Sequence, residues 1–345
     1  MFKRALVAAS IAAAFAAPAF ADVSIGGSAE MDLFYRTNNT PDGDGKFLEE
    51  IAIVVNVDGS DKLDNGSTLK WRLAQKVATD WRYDSWGNRE AWIGYADSWG
   101  EIRFGNQFTN LYLTQDWPYG AKGQGGLFAE PPIQGFASGI TYASPNFNGF
   151  SFNLGYDLGT GGKDGKAYEV VGHFTTGGLS IDAGYAATDD ASSSGAGNGS
   201  GYRLTYAEGT SETVTFAGAR YAFDNGFNVT GAWKRQELET AAAGSHEQDF
   251  YLVRGGYSFG KHSLSLGYQL VAESEAAGVE QDNEIQQVAF QWDYSISKNS
   301  VAFLQIRHNM YDNEGQALGP FWVNRDGWAD GKDSTRILVG TWTGF

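Results

Sequence analysis

The stretch IQQVAFQWDYSI, residues 285–296, puts Val288, Phe290, Trp292, Tyr294 and Ile296 on one side of an extended chain and Gln287, Ala289, Gln291, Asp293 and Ser295 on the other. Successive side chains of a β-strand point to opposite faces, so one face of this strand is apolar and the other wet. The same period of two governs HSLSLGYQLVAE (262–273), where Leu264, Leu266, Tyr268 and Leu270 alternate with Ser263, Ser265, Gly267 and Gln269. It also governs STLKWRLAQKVAT (67–79), where Leu69, Trp71, Leu73 and Val77 alternate with Lys70, Arg72, Ala74 and Lys76. Period two, not 3.6, is the strongest signal in the chain.

Alternation alone also describes a soluble sandwich, so the connections have to decide. Reading sixteen strands between residues 23 and 345 leaves two kinds of linker that alternate along the chain. One kind is short and turn-rich: 58–66, 98–100, 145–149, 176–178, 224–226, 259–261 and 297–299, where Gly or Asn supplies the positive φ of tight hairpins. The other is long and polar: 38–46, 81–87, 107–136, 159–166, 188–212, 239–247, 274–283 and 311–332. GYRLTYAEG (201–209) resembles a further strand, but counting it would give seventeen and would put the tight DNG turn on the long-loop side, so it is assigned to the loop 188–212. Short turns at one end and long loops at the other are the mark of an outer-membrane barrel. The predicted fold is therefore all-β, a sixteen-stranded antiparallel transmembrane barrel whose closure leaves no open sheet edge in lipid.

The ends and the composition agree. MFKRALVAASIAAAFAAPAFA (1–21) sets Lys3 and Arg4 before an apolar run and ends in Ala-Phe-Ala, the pattern of a cleaved export signal. That leader carries two of the 25 basic residues and none of the 41 acidic ones, so the expected mature chain, 22–345, has 324 residues and a formal charge of −18. There is no cysteine, hence no disulfide frame and no thiolate nucleophile or metal ligand. The acidic balance argues against a nucleic-acid partner, which would need a basic stripe. After residue 21 no apolar run is long enough for a spanning helix. The 50 aromatic residues include Tyr35, Trp71, Trp99, Tyr156, Tyr185, Tyr221, Phe223, Tyr257, Phe259 and Tyr294 near strand ends, where outward rings form interfacial girdles.

Two segments are also familiar as segments. REAWIGYADSWGEIRFGNQFT (89–109) resembles the signature hairpin of the trimeric general porins of Gram-negative bacteria, and SGITYASPNFNGFSFNLGY (138–156) resembles the strand–turn–strand that follows their third loop. The resemblance implies a water-filled barrel that assembles as a homotrimer in the outer membrane, among its lipid and lipopolysaccharide, and passes small hydrophilic solutes and ions passively. It implies further that the loop 107–135 folds inward to narrow the pore, that DWRYDSW (80–86) reaches over a neighbouring subunit, and that the terminal Phe345 is read by the outer-membrane assembly machinery.

In such porins a transverse field arises between basic wall residues and acidic residues of the inward loop. The matching positions here are Lys70, Arg72 and Lys76 on the wet face of the third strand, Arg89 and Arg103 on the signature hairpin, and Asp116 and Glu130 on the loop, with Lys122 between the last two. Two departures from the family pattern bear on selectivity: Phe136 and Ala137 stand where an Arg is common before SGITY, and Glu49 and Glu50 stand where one is common on the second strand. With the net charge of −18 these point to mild cation preference. A solute-specific porin is the rival reading, with Phe108, Tyr112, Trp117, Tyr119 and Phe128 stacking on sugar faces. An enzyme would need an activated nucleophile or water. The four histidines, His173, His246, His262 and His308, lie in no HExxH, and no GxSxG elbow is present. Asp42 and Asp44 lack the Glu that a calcium loop needs, so no metal or cofactor is expected.

Overall fold

The computed structural model describes residues 22–37, 44–78, 86–120, 133–158, 166–190, 209–241, 244–312 and 332–345, the side chain of Trp117 excepted. The expected leader 1–21, most of the loop 80–86 and the doubtful segment 201–208 lie outside these residues. Sixteen strands cross the wall: β1 (Asp22–Arg36), β2 (Lys46–Lys62), β3 (Thr68–Ala78), β4 (Glu90–Asp97), β5 (Gly100–Phe108), β6 (Gly135–Ala143), β7 (Phe150–Asp157) and β8 (Lys166–Thr176). They continue as β9 (Leu179–Asp189), β10 (Thr210–Ala222), β11 (Phe227–Thr240), β12 (Gly244–Phe259), β13 (His262–Val271), β14 (Ile285–Ser295), β15 (Ser300–Tyr311) and β16 (Asp333–Gly344). Each pairs antiparallel with its sequence neighbours, and β1 pairs with β16 as well as β2, which closes the barrel. A small hairpin arm, Glu275–Ala276 with Val279–Glu280, rises from the β13–β14 connection and pairs with the start of β12.

The alternation sorts as the hydrophobic pattern dictates. On β14 Val288 and Trp292 are exposed on the outer face, while Gln287 and Ala289 are buried on the inner one. Outward rings gather at the short-turn rim, where Phe227 and Tyr257 lie 4.4 Å apart, Tyr257 and Phe259 5.5 Å, and Trp99 and Tyr142 6.1 Å. At the opposite rim Tyr35 meets Phe47 at 4.9 Å and Tyr168 meets Tyr185 at 6.2 Å. These are the two girdles that an apolar band flanked by headgroups requires.

One boundary moves. Gly59, Ser60 and Asp61 read locally as part of a turn, yet β2 runs on through Lys62, because Asp22–Ser24 of β1 pair with Asp58–Ser60 and Thr68 of β3 pairs with Lys62. Partners on both sides override a turn-like composition. The turn itself shrinks to Leu63–Ser67, closed by a Leu63 N–H to Ser67 carbonyl bond, with Gly66 at φ +92°. At the other end of the chain Phe345 exchanges two backbone hydrogen bonds with Gly27, at 2.9 and 3.1 Å.

Candidate pore constriction

Between β5 and β6 the chain turns into the barrel. Thr109 closes the neck: its N–H donates to the Gln134 carbonyl at 3.0 Å, and its hydroxyl donates to the Ile133 carbonyl at 2.8 Å. The same hydroxyl accepts from the Tyr112 N–H and caps a one-turn helix, α1 (Asn110–Thr114), which runs into a π-helical turn at Gln115–Tyr119. Free N–H groups at a helix start need acceptors. Here the buried carboxylate of Glu169, on β8, takes the Asn110 N–H at 2.8 Å, the Leu111 N–H at 2.9 Å and the Asn110 side-chain amide at 3.1 Å.

The far end of this segment is held as firmly. Tyr119 is fully buried; its hydroxyl donates to Asp182 of β9 at 2.7 Å, and its ring meets Phe216 of β10 edge-on at 5.0 Å. Burial and the neighbouring Asp182 carboxylate push the phenol well above its ordinary range, so it stays a donor at any physiological pH. The Arg254 guanidinium, on β12, donates to the Tyr119 and Pro118 carbonyls, both at 3.0 Å. Asp182 is held in turn by His173 at 2.7 Å and Arg220 at 3.2 Å. Leu111, Tyr119, Ile133 and Phe136 also join an apolar cluster with Val171, Val214, Phe216 and Phe250 of the wall.

Space for that cluster comes from missing side chains. A Cβ on Gly155, Gly184 or Gly218 would lie 2.5 Å from Phe136, 2.7 Å from Leu111 and 2.4 Å from Tyr119 respectively. Glycine in a strand interior marks such close approach. All three occupy inward positions of β7, β9 and β10, a parity that the sequence already contained.

The basic residues anticipated for the constriction lie on or beside another wall, β3 to β5, where Lys70, Arg72 and Arg103 each have a counter-ion beside them. Lys70 donates to Glu101 at 2.7 Å, and Arg103 to the same carboxylate. Arg72 makes a two-pronged contact with Asp58, its direct cross-strand partner, at 2.7 and 3.1 Å, and reaches Glu90 at 3.3 Å. The Arg103 guanidinium also lies 4.3 Å from the Trp92 ring centre. Lys76 shares the inward face and lies within electrostatic reach of Glu30. Arg89 stacks on Phe108 at 4.8 Å, at the neck of the loop. Asp116 is exposed on the segment held against β8 to β12, and Glu130, Lys122 and Phe128 lie outside the described residues. Glu50 faces inward, whereas its neighbour Glu49 faces outward opposite Leu33.

From β13 to β16 the inner wall is built of amides. Gln269 donates to Gln287 and Gln287 to Asn309, both at 2.7 Å, and Asn309 to Ser334 at 3.2 Å. A second row runs from Gln305 to Gln291 at 3.0 Å, with Arg336 donating to Gln305.

A closed barrel with apolar outside, polar inside and an inward third loop matches one family in sequence as well as in shape: the model of the Gram-negative porins aligns with residues 8–315. The chain belongs to the Gram-negative porin family. Among its relatives, the chitoporin of Vibrio furnissii is 25% identical over 324 residues, covering 82% of this chain and 87% of that protein. The major outer membrane protein P.IB of Neisseria lactamica is 26% identical over 320 residues, covering 88% and 92%. Among solved structures, the anion-selective porin from Comamonas acidovorans superposes with a TM-score of 0.71 at 18% identity, covering 94% of this chain and all of that one. The trimer form of OmpT from Vibrio cholerae gives 0.70 at 17% identity, with 94% and 99% coverage. This porin is thus a passive outer-membrane channel for solutes and not an enzyme.

Proposed function

We propose that this porin is a general-diffusion pore for small hydrophilic solutes and ions, mildly cation-preferring, working as a homotrimer. The observation that carries the reading is how the loop spends its rings. Phe108 and Tyr119 are buried as anchors and Tyr112 stacks on Phe108 at 5.2 Å, so the described aromatics serve to fix the loop rather than to line a sugar track. Cation preference is supported by the closed ion pairs of Lys70, Arg72 and Arg103, whose positive charge Asp58, Glu90 and Glu101 match. The chitoporin relative favours the rival, a saccharide-specific pore. Single-channel currents separate the two: brief, featureless passage of chito-oligosaccharides and a reversal potential of cation-selective sign are expected. Long concentration-dependent blockades by one sugar would replace general diffusion with saccharide specificity.

The trimer is supported by the trimer form of OmpT from Vibrio cholerae, on which this chain superposes. At the short-turn end the outer faces of β1 and β2 carry Val23, Ile25 and Val57 where β10 to β14 carry Tyr221, Phe227, Tyr257 and Trp292. Beside these aliphatic residues Phe345 lies over Gly27 and Trp71 over Gly59. We assign Phe345, beside that face and bonded to Gly27, the further role of the signal read by the assembly machinery. Deleting Phe345 is expected to lower the amount of trimer seen on unheated gels while surviving channels keep the parental conductance. A monomer-sized wild-type band would remove the trimer, and altered conductance would remove the assembly role.

A further inference from the structure

Charge is unevenly spread around the short-turn rim. In a chain of 41 acidic and 25 basic residues, the turns 259–261 and 297–299 each carry a lysine, Lys261 and Lys298, and no acid. By contrast 58–66 sets Lys62 among Asp58, Asp61 and Asp64, 224–226 carries Asp224, and the remaining three short connections are uncharged. The two lysine turns adjoin: the Lys261 carbonyl accepts the Ser295 N–H at 2.8 Å, and the Ile296 and Ser297 N–H groups bond to Ser300 across the turn that holds Lys298. Neither lysine forms an ion pair with a described residue, and Asp293 of β14 faces inward, where it accepts from Gln291.

Beneath the lysines the outer wall is a ladder of rings with a histidine set into it. His262 stacks on Phe259 at 5.2 Å and on Trp292 at 5.9 Å, and Tyr294 tilts towards it at 5.2 Å. Lys261 Nζ lies 6.0 Å from the Tyr294 ring centre, which holds its charge over the same rings. The Trp292 indole N–H donates to His262 Nδ1 at 3.1 Å. A neutral imidazole that accepts on Nδ1 carries its proton on Nε2, so His262 retains one N–H donor. No described residue accepts from it. In an aromatic girdle the indole N–H is ordinarily what reaches for the headgroups. Here that task passes to His262, beside two lysines. Farther from the rim the same outer face is apolar and open, with Leu266 58% and Val253 65% exposed.

We propose that this sector, on β12 to β15, binds an anionic phospholipid of the leaflet that the short turns face. The lipid phosphodiester docks between Lys261 and Lys298 and accepts the Nε2–H of His262, while the acyl chains run along Leu266 and Val253. Anionic lipid is favoured because two lysines without an acid leave a positive patch, which the ammonium of a zwitterionic headgroup would oppose. A lipid suits the site better than free phosphate because the donors stand at the edge of the apolar band, above exposed aliphatic side chains. The site is on the outside of the barrel, so it does not rest on which solutes pass.

The test uses the assembled porin, purified from outer membranes in detergent. Phosphatidylglycerol and phosphatidylcholine of matched chain length are added in equal amounts, and the lipid retained is counted by native mass spectrometry. Phosphatidylglycerol is expected to be retained severalfold over phosphatidylcholine, and Lys261→Gln with Lys298→Gln to bring that ratio to about one. His262→Phe, which keeps a ring in the ladder but loses the N–H, is expected to lower it part-way. Lys62→Gln, at a turn with its own carboxylates, is expected to leave it unchanged. Parental single-channel conductance in each variant checks that the barrel has assembled. Equal retention of the two lipids by the wild type, or a ratio unmoved by the lysine pair, overturns the site. A fall with Lys62→Gln as large as with the pair overturns it too, by showing diffuse attraction. Excess inorganic phosphate is expected to leave the lipid bound; its displacement would make the sector a simple anion site and overturn the lipid assignment.

Discussion

A channel carrying Glu169→Ala and Arg254→Ala is expected to pass more current and larger solutes than its parent, with added flicker in single-channel records. The two side chains supply five hydrogen bonds to the inward loop: three accepted by the Glu169 carboxylate from Asn110 and Leu111, and two donated by Arg254 to the Tyr119 and Pro118 carbonyls. At about 1–1.5 kcal/mol each, the upper part of the net range for an ordinary hydrogen bond, their loss amounts to roughly 5–8 kcal/mol. A shift of about 5.5 kcal/mol turns a 1:99 equilibrium into 99:1, so the docked position would no longer dominate. Leu111, Tyr119 and Phe136 keep their apolar burial, which is why the loop should move between docked and released positions rather than leave for good. Glu169→Gln retains one acceptor and should give a smaller effect of the same sign. Unchanged conductance and solute size limit in the double variant would show that the apolar cluster alone holds the loop.

How much of this was legible in the sequence depends on which solvent judged each residue. Lipid enforces an apolar outer face on every strand, so period two appears at β3, β13 and β14 without any knowledge of partners. The interior imposes no such rule. Glu169, Asp182 and Arg254 sit at inward positions where a polar residue is unremarkable, and only the loop that comes to meet them separates an anchor from a solvated side chain. Ion pairing is hidden for a related reason. Asp58 and Arg72 are fourteen residues apart and become direct partners through the β2–β3 register, which the unexpected extension of β2 to Lys62 helps to set. Glu49 and Glu50 looked equivalent as a pair, but parity sends one outward and one inward. The signal that was present and passed over is Gly155, Gly184 and Gly218: glycine at inward parity on β7, β9 and β10 announces that something packs there.

Lys70→Glu with Arg72→Glu is expected to move the reversal potential in a salt gradient strongly towards the cation limit. On the β3–β5 wall an ion-pair cluster balances Lys70, Arg72 and Arg103 against Asp58, Glu90 and Glu101, with Lys76 further along the same face of β3. After the double reversal one basic residue of the cluster faces five carboxylates, so the cluster passes from neutral to a formal −4. A ring of one sign at close quarters selects the opposite ion, and at 0.01 M salt the Debye length is about 30 Å. Glu90 is mostly buried, and a new carboxylate beside it and Asp58 costs stability. Lys70→Gln with Arg72→Gln therefore serves as the milder partner, taking the cluster to a formal −2 without adding carboxylates. Selectivity should rise in order from wild type through the glutamine to the glutamate variant. If all three share one reversal potential, the closed pairs lie away from the stretch that sorts ions.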